Sequence, residues 1–273
     1  MVISELIHKI KEQLTDNADF EAREIVSAAL KADRAFLIIN AKTEVCEAAE
    51  TAALDMLRRR LGGEPLQYIL GFAEFMSLRF KVTRDTLIPR SDTETLVETV
   101  LDRLGGGEAN LLDIGTGTGC IGISISYYNK NVHPTLVDIS GGALRIAGEN
   151  AAANGVAAKL LQLDIMEEIP TGEYDIIVSN PPYIESGVIP TLQTEVKDYE
   201  PVSALDGGGD GLKFYRRIIK IAQKLLKNGG RLFFEIGYNQ GGAVEELMKE
   251  SFCEIEIIKD LCGNDRVVCG RLK

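Results

Sequence analysis

The chain has 273 residues, a formal net charge of -11, 45% hydrophobic and 26% charged side chains. That balance excludes a disordered chain and suits a globular protein of one large or two modest domains. No apolar run approaches membrane-spanning length, and the opening Met1-Val2-Ile3-Ser4-Glu5 lacks the basic-then-apolar order of a signal peptide, so a cytoplasmic protein without membrane association is expected. The only basic cluster, Arg58-Arg59-Arg60, reads as a solvated helix end, which makes direct nucleic-acid binding a poor expectation. Cys46, Cys120, Cys253, Cys262 and Cys269 are odd in number and form no C-x-x-C pair. Buried reduced thiols are expected in place of disulfides or a metal site. With His8 and His133 the only histidines, triad chemistry is nearly excluded.

Ile3, Leu6, Ile7, Ile10 and Leu14 fall at helical spacing, and Phe20, Ile25, Val26, Ala29 and Leu30 repeat the pattern after a turn near residues 16–19. Residues 34–39 give a short helical piece and 44–61 a longer one, stopped by Gly62-Gly63. Residues 1–72 are therefore a helical bundle, a domain of its own. Residues 63–71 and then 76–82, where Leu78, Phe80 and Val82 alternate with polar neighbours, read as a β-hairpin connector assigned to 73–90. Ser91 and Glu94 have the spacing of a capping box, opening a helix to about Leu104 and a second domain at 91–273.

From Asn110 the period alternates: strands at 111–114, 135–137 and 160–163 enclose helices at 120–128 and 142–153, the pattern of a parallel sheet. A fourth strand begins at Tyr174 and ends at Asn180, and a long loop to Gly211 follows, a length usually associated with function. A helix at 212–226, a strand at 232–236, a helix at 243–248 and strands at 253–258 and 267–269 complete the pattern. Residues 259–266 are too few for a helical crossover, so the two final strands form an antiparallel hairpin. The expected fold is α/β, a Rossmann-like seven-strand sheet with one antiparallel edge strand.

Two stretches carry chemistry. Gly115, Gly117 and Gly119, with Thr116 and Thr118 between them, follow the first strand, where alternate glycines let a ligand touch main chain. Asp138 ends the second strand about 20 residues on, where an acid accepts ribose hydroxyls; capping the helix that follows is its simpler role. The G-x-G-x-G spacing lacks the dinucleotide fingerprint, so the fitting cofactor is S-adenosylmethionine. At the fourth strand's end, Ser179-Asn180-Pro181-Pro182-Tyr183 makes a rigid turn whose carbonyls are free to accept. The Asn180 side-chain oxygen and the Pro181 carbonyl can take both N–H bonds of an amide or amino group, with Tyr183 stacked on the same planar group. A capped Pro-rich turn is the simpler alternative.

The sequence resembles the protein-glutamine methyltransferases of the release factor family, the PrmC or HemK group. The resemblance rests on the loop Asp113 to Gly119, on Asn180-Pro181-Pro182-Tyr183, on Leu87-Ile88-Pro89-Arg90-Ser91-Asp92-Thr93-Glu94, on Gly63-Glu64-Pro65-Leu66 and on the segment Asp260 to Arg266. It implies a class I methyltransferase domain that moves a methyl from S-adenosylmethionine to the side-chain amide nitrogen of glutamine in the Gly-Gly-Gln motif of class I peptide chain release factors. Gly115 to Gly119 would hold the methionine part, Asp138 the ribose, Ile165 the adenine, and Asn180, Pro181, Pro182 and Tyr183 the glutamine, with Asn180 also touching the cofactor. Ser91 stands where the family often has Pro, and Ile165 where some members have an aromatic.

An amide nitrogen is a poor nucleophile, so positioning by Asn180, Pro181 and Tyr183 carries the catalysis and no general base is required. Arg90 and Glu94 would shape the cofactor pocket, and the helical domain of a monomeric enzyme would dock the release factor. The alternatives are a nucleic-acid base methyltransferase using the same acceptor turn, against which the charge argues, and a non-catalytic adenosine-binding scaffold.

Overall fold

The computed structural model describes residues Met1–Lys273 and divides into two compact units, Met1–Gly71 and Phe72–Lys273. The first contains α1 (Ile3–Lys11), α2 (Ala18–Leu30), α3 (Arg34–Ile39), α4 (Glu47–Leu61) and α5 (Leu66–Leu70). Ile3, Leu6 and Ile10 of α1 meet Ala22, Ile25 and Val26 of α2 and Ala53 and Leu57 of α4 in one core. Each large aliphatic buried there contributes about 1.5–3 kcal/mol. The arginine cluster does end α4, but only Arg58 is solvated. Arg60 makes a forked pair to Glu21 (2.7 and 2.9 Å) and Arg59 one to Glu64 (2.8 and 2.9 Å), bidentate contacts that lock α4 to α2 and to the turn before α5. Residues 63–71 are likewise no part of a hairpin. Pro65 opens the short α5, which buries Leu66, Tyr68 and Ile69.

The second unit begins with the hairpin β1 (Phe72–Phe75) and β2 (Leu78–Lys81), joined by Met76 and Ser77 at φ 50° and 56°. Two consecutive left-handed residues make the turn type that suits the twist of a two-residue hairpin. Glu94 Oε1 accepts from Met76 N (2.6 Å) and Tyr128 donates its hydroxyl to Met76 O (2.6 Å), fixing that turn. Glu94 is thereby taken from the expected capping box, and Ser91–Thr93 form a 3-10 turn instead, ahead of α6 (Glu94–Arg103).

The chain then runs β3 (Ala109–Ile114), α7 (Cys120–Tyr128), β4 (Val132–Asp138), α8 (Gly141–Ala153), β5 (Lys159–Gln162), β6 (Tyr174–Ser179), α9 (Thr194–Lys197), α10 (Lys213–Leu225), β7 (Leu226–Glu235), α11 (Gly241–Met248), β8 (Phe252–Lys259) and β9 (Asp265–Leu272). The seven strands lie in the order β5-β4-β3-β6-β7-β9-β8. Leu96, Val97 and Val100 of α6 and Ile121 of α7 cover one face, and Tyr215, Ile218 and Ile219 of α10 with Val244 of α11 the other.

One detail departs from expectation. The antiparallel strand is not the edge: β9 inserts between β7 and β8, antiparallel to both. Burial decides it, because Arg266 to Gly270 are buried throughout, whereas β8 alternates with exposed charged residues that suit an unpaired edge. All five cysteines are free, but only Cys120 and Cys269 are buried; Cys46 and Cys262 are exposed. No helix is long and apolar enough to cross a membrane.

Candidate active site

Sheet register brings the two chemical stretches together. Ile114 pairs with Val137 on one side and with Ser179 on the other, so the residues that follow, Gly115, Asp138 and Asn180, emerge side by side at the carboxyl edge. Between β3 and β6 the chain reverses its order of laying down strands, which is where open α/β sheets bind ligands. Ser179 Oγ donates to Ile114 O (2.7 Å) and ties the two strands at that point.

A cavity of about 380 Å³ opens there, lined by Gly115, Gly117, Asp138, Ile165, Asn180 and Pro181 among others. Gly115 (φ 71°) and Gly117 (φ 56°) have open space where a Cβ would stand, so their main chain is bare to the cavity. Thr116, Thr118 and Gly119 face inward and shape the loop. Thr116 Oγ1 donates to Asp113 Oδ2 (2.7 Å), Thr118 is 2% exposed, and Gly119 packs on Ile123 and Ala147. Asp113 also accepts from Gly122 N (3.0 Å), and burial still pushes its carboxyl up to about 6.

Asp138 lines the cavity and accepts from Gly117 N and Ser140 N, both at 2.9 Å. Ser140, not Asp138, supplies the side-chain cap of α8, its Oγ accepting from Ala143 N (3.1 Å), and Asp138 meets only the main-chain N–H of that cap residue. Burial raises the Asp138 carboxyl above its ordinary value against the pull of those main-chain donors. Its remaining lone pairs are suited to hydroxyl donors.

At the other wall, Asn180, Pro181 and Pro182 line the cavity, whereas Tyr183 lies behind them. Tyr183 O accepts from Gln240 Nε2 (3.0 Å), and burial pushes its phenol up to about 12. The 184–211 loop returns to hold it. Gly207 N donates to Ile184 O (2.8 Å), and a Cβ on Gly207 would stand 2.7 Å from Tyr183 Cα. Tyr183 thus props the turn from below.

Arg90 and Glu94 do not reach the cavity. Arg90 pairs with the buried Glu200, next to Pro201, and Glu94 serves the hairpin turn. The cavity also includes residues that spacing did not single out: Asp85, Leu87, Asp164, Phe214 and the stretch Pro201 to Ala204. Phe214 lies on an amphipathic helix where core and cavity faces read alike, and Asp164 follows β5 at the same sheet edge as Asp138, a position that strand counting could have flagged.

Residues 91–196 match the family model of the methyltransferase small domain, and residues 2–71 that of the PrmC N-terminal domain. The chain is 40% identical over 264 residues to the release factor glutamine methyltransferase of Geobacter sulfurreducens, covering 96% of this chain and 93% of that one. It is 42% identical over 250 residues to that of Clostridium acetobutylicum, covering 89% and 88%. Among solved structures, the methyltransferase from Pyrococcus furiosus matches at a TM-score of 0.54 with 19% identity, covering 73% of this chain and 90% of that one, a likeness of fold. Sheet, glycine loop and family model together define a Rossmann-like methyltransferase, a class whose methyl donor is of the S-adenosylmethionine type. The chain belongs to the release factor glutamine methyltransferase family.

Proposed function

We propose that the protein transfers a methyl group from S-adenosylmethionine to the side-chain amide nitrogen (N5) of the glutamine in the Gly-Gly-Gln motif of class I peptide chain release factors, releasing S-adenosylhomocysteine. The observation that carries this reading is the register that sets Gly115, Asp138 and Asn180-Pro181 around one cavity. The residues present fit the cofactor: bare main chain at Gly115 and Gly117 for the methionine part, Asp138 for the ribose, and Ile165 with Phe214 and Leu87 as an apolar wall for the adenine. When bound, the cofactor supplies a methyl on a sulfonium, an electrophile needing no further activation. Thr116, Thr118 and Gly119 keep the loop in shape.

Asn180 Oδ1 and the Pro181 carbonyl accept the two N–H bonds of the glutamine amide. They hold its nitrogen in line for transfer and stabilise the positive charge that develops on it. Pro182 stiffens the turn and Tyr183 supports it. No residue is needed as a strong base, because the proton leaves after transfer. The helical unit meets the release factor, and α3 exposes Ile38 and Ile39 for such a contact. The net charge of -11 argues against a nucleic-acid substrate at the same turn.

The test is transfer of labelled methyl to a purified release factor, to the same factor with its Gly-Gly-Gln glutamine changed to alanine, and to duplex DNA and ribosomal RNA. Label should enter only the first. Equal labelling of the glutamine-free factor or of nucleic acid defeats the reading. Asp138→Asn should weaken S-adenosylmethionine binding by about 1.5 kcal/mol, roughly tenfold, since it exchanges a charged acceptor for a neutral one. Calorimetry reads this directly, and unchanged affinity would leave Asp138 with the loop alone.

A further inference from the structure

Glu235 is a buried carboxyl for which the function above has no use. It ends β7, and the β6–β7 register, with Ser179 against Phe234, sets it beside Asn180 at the carboxyl edge. It is 2% exposed, and its Oε2 has no hydrogen-bonding partner. The hydrogen-bonding side chains facing it are the Thr93 hydroxyl, ahead of α6, and the Asn180 carboxamide; the charged groups facing it are Arg266 of β9 and Asp92. Arg266 is largely engaged elsewhere, through Nη2 to Asp92 (3.0 Å) and Asp260 (3.1 Å) and through Nη1 to Ile236 O (3.4 Å). From α10, Tyr215 donates its hydroxyl to the main-chain oxygen of Glu235 (3.0 Å), which fixes the backbone and leaves the carboxyl alone.

A carboxamide has two unlike ends, and its neighbours decide which end faces where. Asn180 Nδ2 donates to Thr93 Oγ1 (3.4 Å). A carboxyl beside it offers an acceptor oxygen whether or not it carries a proton, and the Thr93 hydroxyl can rotate to suit both. Both neighbours therefore draw Nδ2 into the protein, and Oδ1 is the end left for the cavity. Resting on the function proposed above, we propose that Glu235 is a positioning residue: with Thr93 it holds the Asn180 carboxamide so that Oδ1 accepts an N–H of the glutamine amide. A flipped carboxamide would set its own N–H against the substrate's, an arrangement that repels. Burial pushes the Glu235 carboxyl up to about 7, so near neutrality it passes between two forms that both accept.

The experiment is single-turnover methyl transfer to a release factor by the full-length protein carrying Glu235→Leu or Glu235→Gln, each with Asn180 and with Asn180→Ala. Leucine removes the acceptor, and transfer should fall about tenfold while S-adenosylmethionine affinity stays within about twofold. Glutamine keeps an acceptor oxygen and should restore most of that loss. With Asn180→Ala, Glu235→Leu should change the rate by less than about twofold, because nothing remains to be oriented. Equal slowing by Glu235→Leu in both backgrounds overturns the proposal, as does a Glu235→Gln protein as slow as the leucine variant, or a parallel loss of cofactor affinity. If Asn180→Ala alone transfers methyl at the native rate, the amide-holding function fails first, and that is read from a protein in which Glu235 is intact.

Discussion

Asn180→Ala is expected to slow single-turnover methyl transfer to a release factor about 10²-fold or more, the scale of a lost positioning contact, while S-adenosylmethionine affinity falls much less. The asymmetry follows from placement. Asn180 shares its cavity with the glycine loop, but the groups suited to the cofactor are Gly115, Gly117 and Asp138. Asn180→Asp should fare little better, although it keeps the size and an acceptor. It would set a second carboxyl against Glu235, where burial already disfavours charge, and the two would contend for one proton. Rapid-quench transfer with pre-bound cofactor measures the chemical step, and a native rate in the alanine variant would remove Asn180 from it.

Gly207→Ala should be a strongly damaging single methyl added to the fold around the site. Its Cβ would lie 2.7 Å from Tyr183 Cα, 2.8 Å from Tyr183 C and 2.9 Å from Gly211 Cα, all main-chain atoms with no flexible side-chain end to give way. Overpacking of that kind costs about 1–3 kcal/mol, and in a domain of this size each kcal/mol lowers the melting temperature by about 2–4 °C. Because the displaced residue is Tyr183, directly after the two prolines, transfer should slow as well. Gly209→Ala is the control, since a Cβ there meets nothing within 4 Å. Equal melting temperatures for the two variants would mean that the 184–211 loop does not brace the turn.

Both stretches around which the cavity forms could be read in the sequence, because each is local: alternate glycines after an apolar strand, and two prolines after another. The α/β alternation and the seven strands were legible for the same reason. What escaped was set by contacts distant in sequence. Glu94 has the spacing of a capping box, yet Met76, 18 residues earlier, takes its carboxylate. Arg59 and Arg60 look like a solvated triplet until Glu64 and Glu21 are brought against them. Arg90 lies in a segment characteristic of the family, but its partner is Glu200, 110 residues on. Tyr183 sits in the motif by sequence and behind the turn in space, because Gly207 and Gln240 close on it from the loop and from the start of α11. Glu235 carries no local signal at all; only the β6–β7 register sets it next to Asn180.

The insertion of β9 between β7 and β8 has a consequence for how the molecule is assembled. Strands β3 to β7 pair in parallel, and each joins an edge that an earlier strand already offers. β9 pairs with the edge of β7, but it follows β8 in the chain, so β8 must be carried one strand's width beyond β7 and is joined to the sheet only through β9. The docking of β9 pairs Glu235 with Val267 and brings Arg266 alongside. Long-range closures of this kind are slow steps. The setting of the acceptor turn thus belongs to the end of folding: a domain with its parallel strands in place but β9 still out would hold the cavity's glycine wall and lack the support behind Asn180.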